Sequence, residues 1–333
     1  MATFPVDGAD FKRQVFEGLA EQAEAIRDAV PGVRLAKDPE DIHRMRVASR
    51  RLRIRLRLFE DDLPKRKARF WRRRLRRLTR ALGEARDADV QLAFLDAYLA
   101  GLPEGRERAG VERLRLRIRR QRSRLQTQVR EALDEVEDSG ILEAMRRSFQ
   151  AAVDASSPTR DDQERSAPYD RAREAIEARV HEVLEFEWLI RDPRHSAELH
   201  RMRIAAKHLR YCMEAFAQLY GAGLIRPIKT AKTIQSMLGD IHDCDVWSVQ
   251  LDQWLGRQGV RAQKDRVEGG GQRRLSPGIQ GLIRDRKSFR NRRYRAFLAY
   301  WDRHAADWRD LLLELRTASW DASPHGEGNG VDG

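Results

Sequence analysis

The chain has 333 residues, of which 65 are Lys or Arg and 52 Asp or Glu, for a formal net charge of +13. With 41% hydrophobic residues it has material for a sizeable core, and its length suits two ordinary domains or one duplicated one. The positive balance points to an anionic partner, and nine lysines leave 56 of the basic residues as arginine, whose planar fork grips phosphate oxygens in pairs. Two cysteines, Cys212 and Cys244, form neither a disulfide framework nor a zinc set, and both are expected to stay reduced. The opening MATFPVDGAD carries no charged start followed by an apolar run, and no stretch approaches the roughly 18 apolar residues of a membrane span. A cytoplasmic location is the expectation.

Taken in chain order, periodicity predicts helices near 8–30, 40–60, 64–82, 88–100 and 105–137, then near 168–190, 196–219, 225–238, 244–257 and 279–318. Pro64 suits a first helical position. Gly83 and Gly239 each follow an apolar helical run and read as left-handed caps, with Asp87 and Asp243 capping the next helix. No period-2 apolar run long enough for a sheet occurs. The division expected is a first bundle over 1–153, a linker over 154–168, a second bundle over 169–320 and a disordered tail over 321–333. A flexible loop is expected over 258–278, which contains Gly269-Gly270-Gly271.

Two blocks of sequence recur. His43–Phe59 reads HRMRVASRRLRIRLRLF and His200–Phe216 reads HRMRIAAKHLRYCMEAF, identical at eight of 17 positions. Leu82–Val90, LGEARDADV, is matched by Leu238–Val246, LGDIHDCDV. The offsets are 157 and 156 residues, so the halves are colinear and the chain is a tandem duplication. The fold class is therefore all-α, two tandem helical bundles.

Sorting the first repeat helix by face gives an apolar stripe of Met45, Ala48, Leu52, Leu56 and Phe59. Beside it His43, Arg46, Arg50, Arg53 and Arg57 recur three and four apart and form a cationic column. The copy keeps His200, Arg203, Lys207 and Arg210. Residues 43–80 hold 17 Lys or Arg against three acids, although stacked like charges repel by a few tenths of a kcal/mol per pair. An anion absent from the chain accounts most simply for so unbalanced a face. Arg73, Arg76 and Arg80 on the next helix add to it, and Lys229 and Lys232 hold the places of Arg73 and Arg76. Arg113, Arg117 and Arg120 continue the pattern near 105–137, with Arg286, Arg290 and Arg293 as their counterparts. Pseudo-twofold packing of the halves would bring these columns together on a shared basic central surface.

These paired signatures resemble the CHAD domain, the conserved histidine α-helical domain, over roughly residues 8 to 318. The resemblance implies two helical bundles related by pseudo-twofold symmetry, with a basic central cavity or channel that binds inorganic polyphosphate, and a place on polyphosphate granules. Carried over residue by residue, the ligand-facing positions are His43, Arg46, Arg50, Arg53 and Arg76, and His200, Arg203, Lys207, Arg210 and Lys232. Arg44, Arg51, Arg201 and His208 on the repeat helices join this candidate set. One departure is His242, which stands where the first copy has Arg86. His43 and His200 beside a polyanion are expected to favour the protonated form; a cap or core donor is the other reading of each.

The pairs Asp87-Asp89 and Asp243-Asp245 could be taken for metal ligands of a phosphate-cleaving enzyme. Their i, i+2 spacing does not place both carboxylates on one helix face, so capping and salt bridges to nearby arginines explain them better. CHAD domains often accompany a hydrolase domain marked by E-x-E-x-K on a strand. The nearest string, Glu185-Phe186-Glu187-Trp188-Leu189, lacks the lysine and reads as part of a helical stretch. The chain is read as a non-enzyme without cofactor or metal. Nucleic acid is the alternative partner, since the same columns would hold a phosphate backbone. Single-strand binders interleave exposed aromatics for stacking, and aromatics are only 7% here and fall mostly on apolar stripes. A membrane-surface or scaffold role would ask for basic amphipathic termini, but the first helix carries mixed charge.

Overall fold

The computed structural model describes residues 8–155, 162–264 and 276–317. Among the described residues every regular element is helical: α1 (Gly8–Leu35), α2 (Pro39–Leu58), α3 (Lys65–Ala100), α4 (Arg106–Asp138), α5 (Ile141–Asp154), α6 (Asp162–Leu184), α7 (Ser196–Tyr220), α8 (Ile225–Lys264) and α9 (Ser276–Thr317), with three short 3-10 turns. No helix among them is long and apolar enough to cross a membrane.

Local chemistry explains where the repeat helix starts. The Asp38 side chain accepts a hydrogen bond from the Glu40 backbone N–H at 2.8 Å, and Pro39 supplies a preset φ at the first position. From there Ile42, Met45, Ala48, Leu52 and Leu56 are buried at helical spacing. On α7 Leu199, Met202, Ala205, Ala206, Leu209, Met213 and Phe216 bury the equivalent stripe.

Two of the expected breaks are absent. α3 runs unbroken through Gly83, and α8 through Gly239, so each merges two expected helices and neither glycine is a cap. Asp87 and Asp243 consequently lie inside helices and cap nothing. α5 was not expected, although Ile141, Met145 and Phe149 bury at four-residue spacing against the first half. α6 begins at Asp162, inside the expected linker, and α8 extends to Lys264, inside the expected loop. Residues 156–161 of that linker, 265–275 of that loop and all of the expected tail lie outside the described residues. Residues 185–188 form a turn rather than a helical stretch, and Leu189–Arg191 a 3-10 turn.

Within the first half α1 packs on α2 and α5, α2 on α3, and α3 on α4; in the second, α6 packs on α7, α7 on α8, and α8 on α9. Across the halves α1 meets α6, α2 meets α7 and α4 meets α9, so these helices touch their own sequence counterparts. The α4–α9 contact is close enough that a Cβ on Gly278 would run into the Glu107 carbonyl oxygen. One hydrophobic cluster runs through both halves. Phe11, Phe59 and Phe216 knit them, with ring centroids 5.5 to 6.1 Å apart. Aromatic pairs at this range add about 0.5–1.5 kcal/mol each beyond area burial.

Candidate anion-binding site

α2 and α7 present their cationic columns toward one another, flanked by α3 and α8. Burying the apolar stripe of each repeat helix leaves His43, Arg46, Arg50 and Arg53, and His200, Arg203 and Lys207, half-buried at the edge of the core, while Arg57 is exposed and Arg210 buried. Gly83 and Gly239 make room for this. A Cβ on Gly83 would lie 3.7 Å from Arg46 Nε, and one on Gly239 3.4 Å from Arg203 Nε, so the two glycines give the repeat arginines a bare stretch of helix to lie on.

Electrostatics record the convergence. Lys207 is held down to about 8, by burial first and then by Arg50, Arg203, Arg46 and Arg53, cations from both halves. Burial likewise lowers Arg50, with Arg46, Arg210 and Arg51 adding to it, and lowers Arg53, with Arg76 and Arg72 adding. Asp87 and Asp243 are raised by desolvation, while Arg46 and Arg203 pull each of them back. The guanidinium groups of Arg50 and Arg210 both lie over the Tyr211 ring, 5.1 and 4.3 Å from its centroid. That ring supplies cation–π attraction to a pair that would otherwise repel.

The histidines are shifted by their own surroundings, apart from any effect of a polyanion beside them. Desolvation lowers His43, with Arg86, Arg46 and Arg50 adding and Glu40 opposing; it lowers His200, with Arg203 and Lys207 adding. Both rings are therefore held toward the neutral form by those surroundings. His200 stacks on His242 at 3.9 Å, and His242 is held down to about 4, by burial first and then by His200 and Arg203. His208 is lowered mainly by burial, then by Lys207 and Arg179.

The columns divide according to whether an acid already holds them. Arg46, Arg50, Arg53, Arg57, Arg76, Arg203, Lys207, Lys229 and Lys232 make no ion pair with a described residue. Nor do the buried Arg50 Nε, Arg203 Nε, His43 Nδ1 and His200 Nδ1 find a hydrogen-bond partner there. Arg210 is buried and 3.7 Å from Glu214, and Arg51 is 3.8 Å from the same carboxylate. Arg44, Arg80 and Arg201 are exposed and paired locally with Asp41, Glu84 and Glu198. Arg73 lies over Phe70 at 5.9 Å.

On α9 the counterparts are taken. Arg290 pairs with Asp245 at 2.5 Å, Arg293 with Asp240 at 2.6 Å and Arg286 with Asp285 at 2.5 Å, the last also lying over Phe94 at 3.8 Å. Arg113, Arg117 and Arg120 are exposed on α4. Arg117 lines a cleft of about 390 Å³ between α3, α4 and α8, together with Asp87, Gln91, Trp247 and Trp254. Sequence reasoning missed Tyr211 and the two glycines as site residues; the glycines were visible as single interruptions in otherwise helical runs. Asp89 pairs with Arg122 at 2.6 Å, so the second aspartate of each D-x-D is a salt-bridge residue.

With this geometry in view, the family is settled by a match of the CHAD domain model to residues 17–252. The chain belongs to the CHAD domain family. Two solved structures share its fold. The crystal structure of the CHAD domain from the plant Ricinus communis is 21% identical, with a TM-score of 0.58, over 95% of this chain and 94% of that one. PptA from Streptomyces chartreusis is 17% identical, with a TM-score of 0.53, over 90% of this chain and 100% of that one. No curated protein matches the chain. The matched CHAD segment includes both repeat blocks and excludes α9, where Arg286, Arg290 and Arg293 are held by acids.

The depressed Lys207 carries a pH prediction. An anion bound between Arg46, Arg203 and Lys207 would lift the Lys207 pKa from about 8, so the complex holds more protons than the free CHAD protein above that pH. Polyanion affinity is then at its full value below pH 8 and falls as pH rises through it, by up to about tenfold per pH unit for one coupled proton. Lys207→Met should flatten the fall. A dissociation constant that is constant from neutral pH to about two units above it would contradict Lys207 as a ligand group.

Proposed function

We propose that this CHAD protein binds inorganic polyphosphate without cleaving it, on a basic surface centred where α2 meets α7, and that the two halves are related there by an approximate twofold axis. The pairing of α1 with α6, α2 with α7 and α4 with α9 supports the axis, since helices that meet their own counterparts are what an isologous arrangement produces. The observation that carries the ligand class is the set of cations left without acids, Arg46, Arg50, Arg53, Arg203 and Lys207, gathered from both halves onto one surface. On α9 Arg286, Arg290 and Arg293 have found carboxylates, and what separates the central cations from the equally unpaired but exposed Arg113, Arg117 and Arg120 is that they are half-buried without an acid among the described residues.

Membership of the CHAD family supports polyphosphate as the particular anion. Its chain offers about one charge per phosphate and no base, which matches a site of dense forks. The large aromatics near the columns, Phe59, Tyr211 and Phe216, are buried and offer no platform for stacked bases. A place on polyphosphate granules follows from the same reading. Catalysis is not part of it: Asp89 and Asp245 are engaged by Arg122 and Arg290, which leaves no D-x-D carboxylate pair free to act together.

Titration with long-chain polyphosphate across a salt series tests this. If six cations engage, the slope of log K against log salt should be about −4, by analogy with single-stranded polyanions, and chain length should be unchanged after prolonged incubation. A salt-independent affinity, or release of orthophosphate, would overturn the proposal.

A further inference from the structure

Asp87 and Asp243 are unaccounted for once capping is ruled out and their neighbours Asp89 and Asp245 are assigned to Arg122 and Arg290. Each stands four residues after a glycine on which a repeat arginine lies, Gly83 under Arg46 and Gly239 under Arg203. Residues four apart share a helix face, so each carboxylate is one turn along the surface that its arginine covers. The arrangement is reciprocal across the halves: Asp87 feels Arg46 and Arg203, and Asp243 feels Arg203 and Arg46 as well as Asp87. Neither carboxylate closes an ion pair with a described residue. Asp87 also lines the cleft that Arg117 borders, within reach of an incoming ligand.

We propose that Asp87 and Asp243 are internal competitor anions, set against Arg46 and Arg203, which a bound polyphosphate must displace electrostatically from those two guanidinium groups. The inference rests on the polyphosphate reading and adds an affinity threshold to it. The competitors impose the same cost on every anion that enters. A long chain touches Arg50, Arg53, Lys207 and further cations at once and retains ample affinity after meeting that cost. Orthophosphate reaches one or two cations and does not, so the cellular phosphate pool is kept off the site. Two other roles would leave the opposite signature. Carboxylates that aim the arginines at the ligand, or that hold a divalent cation bridging to phosphate, would help binding, and their loss would weaken it.

The test uses the full chain with Asp87→Asn and Asp243→Asn, singly and together. Asparagine keeps the size and one acceptor oxygen, so the packing of Arg46 and Arg203 is preserved while the charge is removed. Calorimetry with long-chain polyphosphate, tripolyphosphate and orthophosphate, each with magnesium and with a chelator, should show affinity for all three rising about tenfold in the double variant and about threefold in each single one. The slope of log K against log salt should steepen by about 1.4 for two further contacts, and millimolar orthophosphate, silent on the wild type, should become titratable. Unchanged or weaker binding in the double variant, or in both single variants where the double does not fold, overturns the competitor role; weakening confined to the magnesium arm identifies a cation bridge instead. A wild-type chain that binds no polyphosphate sinks the ligand reading, and that failure is separate, because it is read before any variant is made.

Discussion

Replacing Arg46 and Arg203 together by alanine is expected to lower polyphosphate affinity about a hundredfold or more while the protein stays folded. Each guanidinium can make charge-assisted bonds to phosphate worth about 1.5–3 kcal/mol apiece, so losing two places the effect at about 3 kcal/mol or above. Folding is spared because neither arginine is paired with an acid, both stand among like charges, and alanine is the best helix former. Removing them also relieves Lys207, whose pKa should move up from about 8 toward its ordinary value. Binding by calorimetry and melting by circular dichroism separate the two effects. An affinity within threefold of wild type would remove the α2–α7 centre from the site, and a collapse of the melting transition would recast both arginines as structural.

The largest stability effect is expected at a residue that touches no ligand. Arg122 pairs with Asp89 at 2.6 Å, with side chains only 13% and 9% exposed, and Arg122 also donates to Gln126, which reaches the Val33 carbonyl at 2.7 Å. Arg122→Met would leave the Asp89 carboxylate buried without its partner, at a cost of about 3–5 kcal/mol. Adding Asp89→Asn removes the stranded charge and should restore most of that loss. The counterpart pair, Asp245 with Arg290, is more open on its carboxylate side, so Arg290→Met should cost less. Urea unfolding of the three variants checks this order. Equal, small losses at both sites would mean that water screens the Asp89 pair as well.

Much of the fold was legible because duplication and periodicity are written locally. The two blocks with offsets of 157 and 156 marked the halves, and the three- and four-residue spacing of apolar and basic positions placed the stripes on α2 and α7 correctly. What misled was glycine. A glycine after an apolar run is an ordinary cap signal, yet at Gly83 and Gly239 it serves the close approach of an arginine from another helix, which no local pattern contains. The misplaced caps split α3 and α8 and assigned Asp87 and Asp243 a role they do not have.

The site was legible as columns and not as an arrangement. Periodicity gave Arg286, Arg290 and Arg293 the same standing as Arg46, Arg50 and Arg53, because the acids that hold the first set lie dozens of residues away at Asp240 and Asp245, or beside it at Asp285. Tyr211 was filed with the core, and it is buried, but its ring face is where Arg50 and Arg210 from different halves come together. The desolvation that lowers His43 and His200 comes from packing between helices and is not written in the local sequence.

Competition between labelled polyphosphate and RNA, with double-stranded DNA as a third arm, bears most directly on the central claim that an unpaired cationic surface between α2 and α7 takes inorganic polyphosphate. At equal phosphate concentration and across a salt series, polyphosphate should hold the site against both nucleic acids. Displacement of polyphosphate by RNA under those conditions would contradict it.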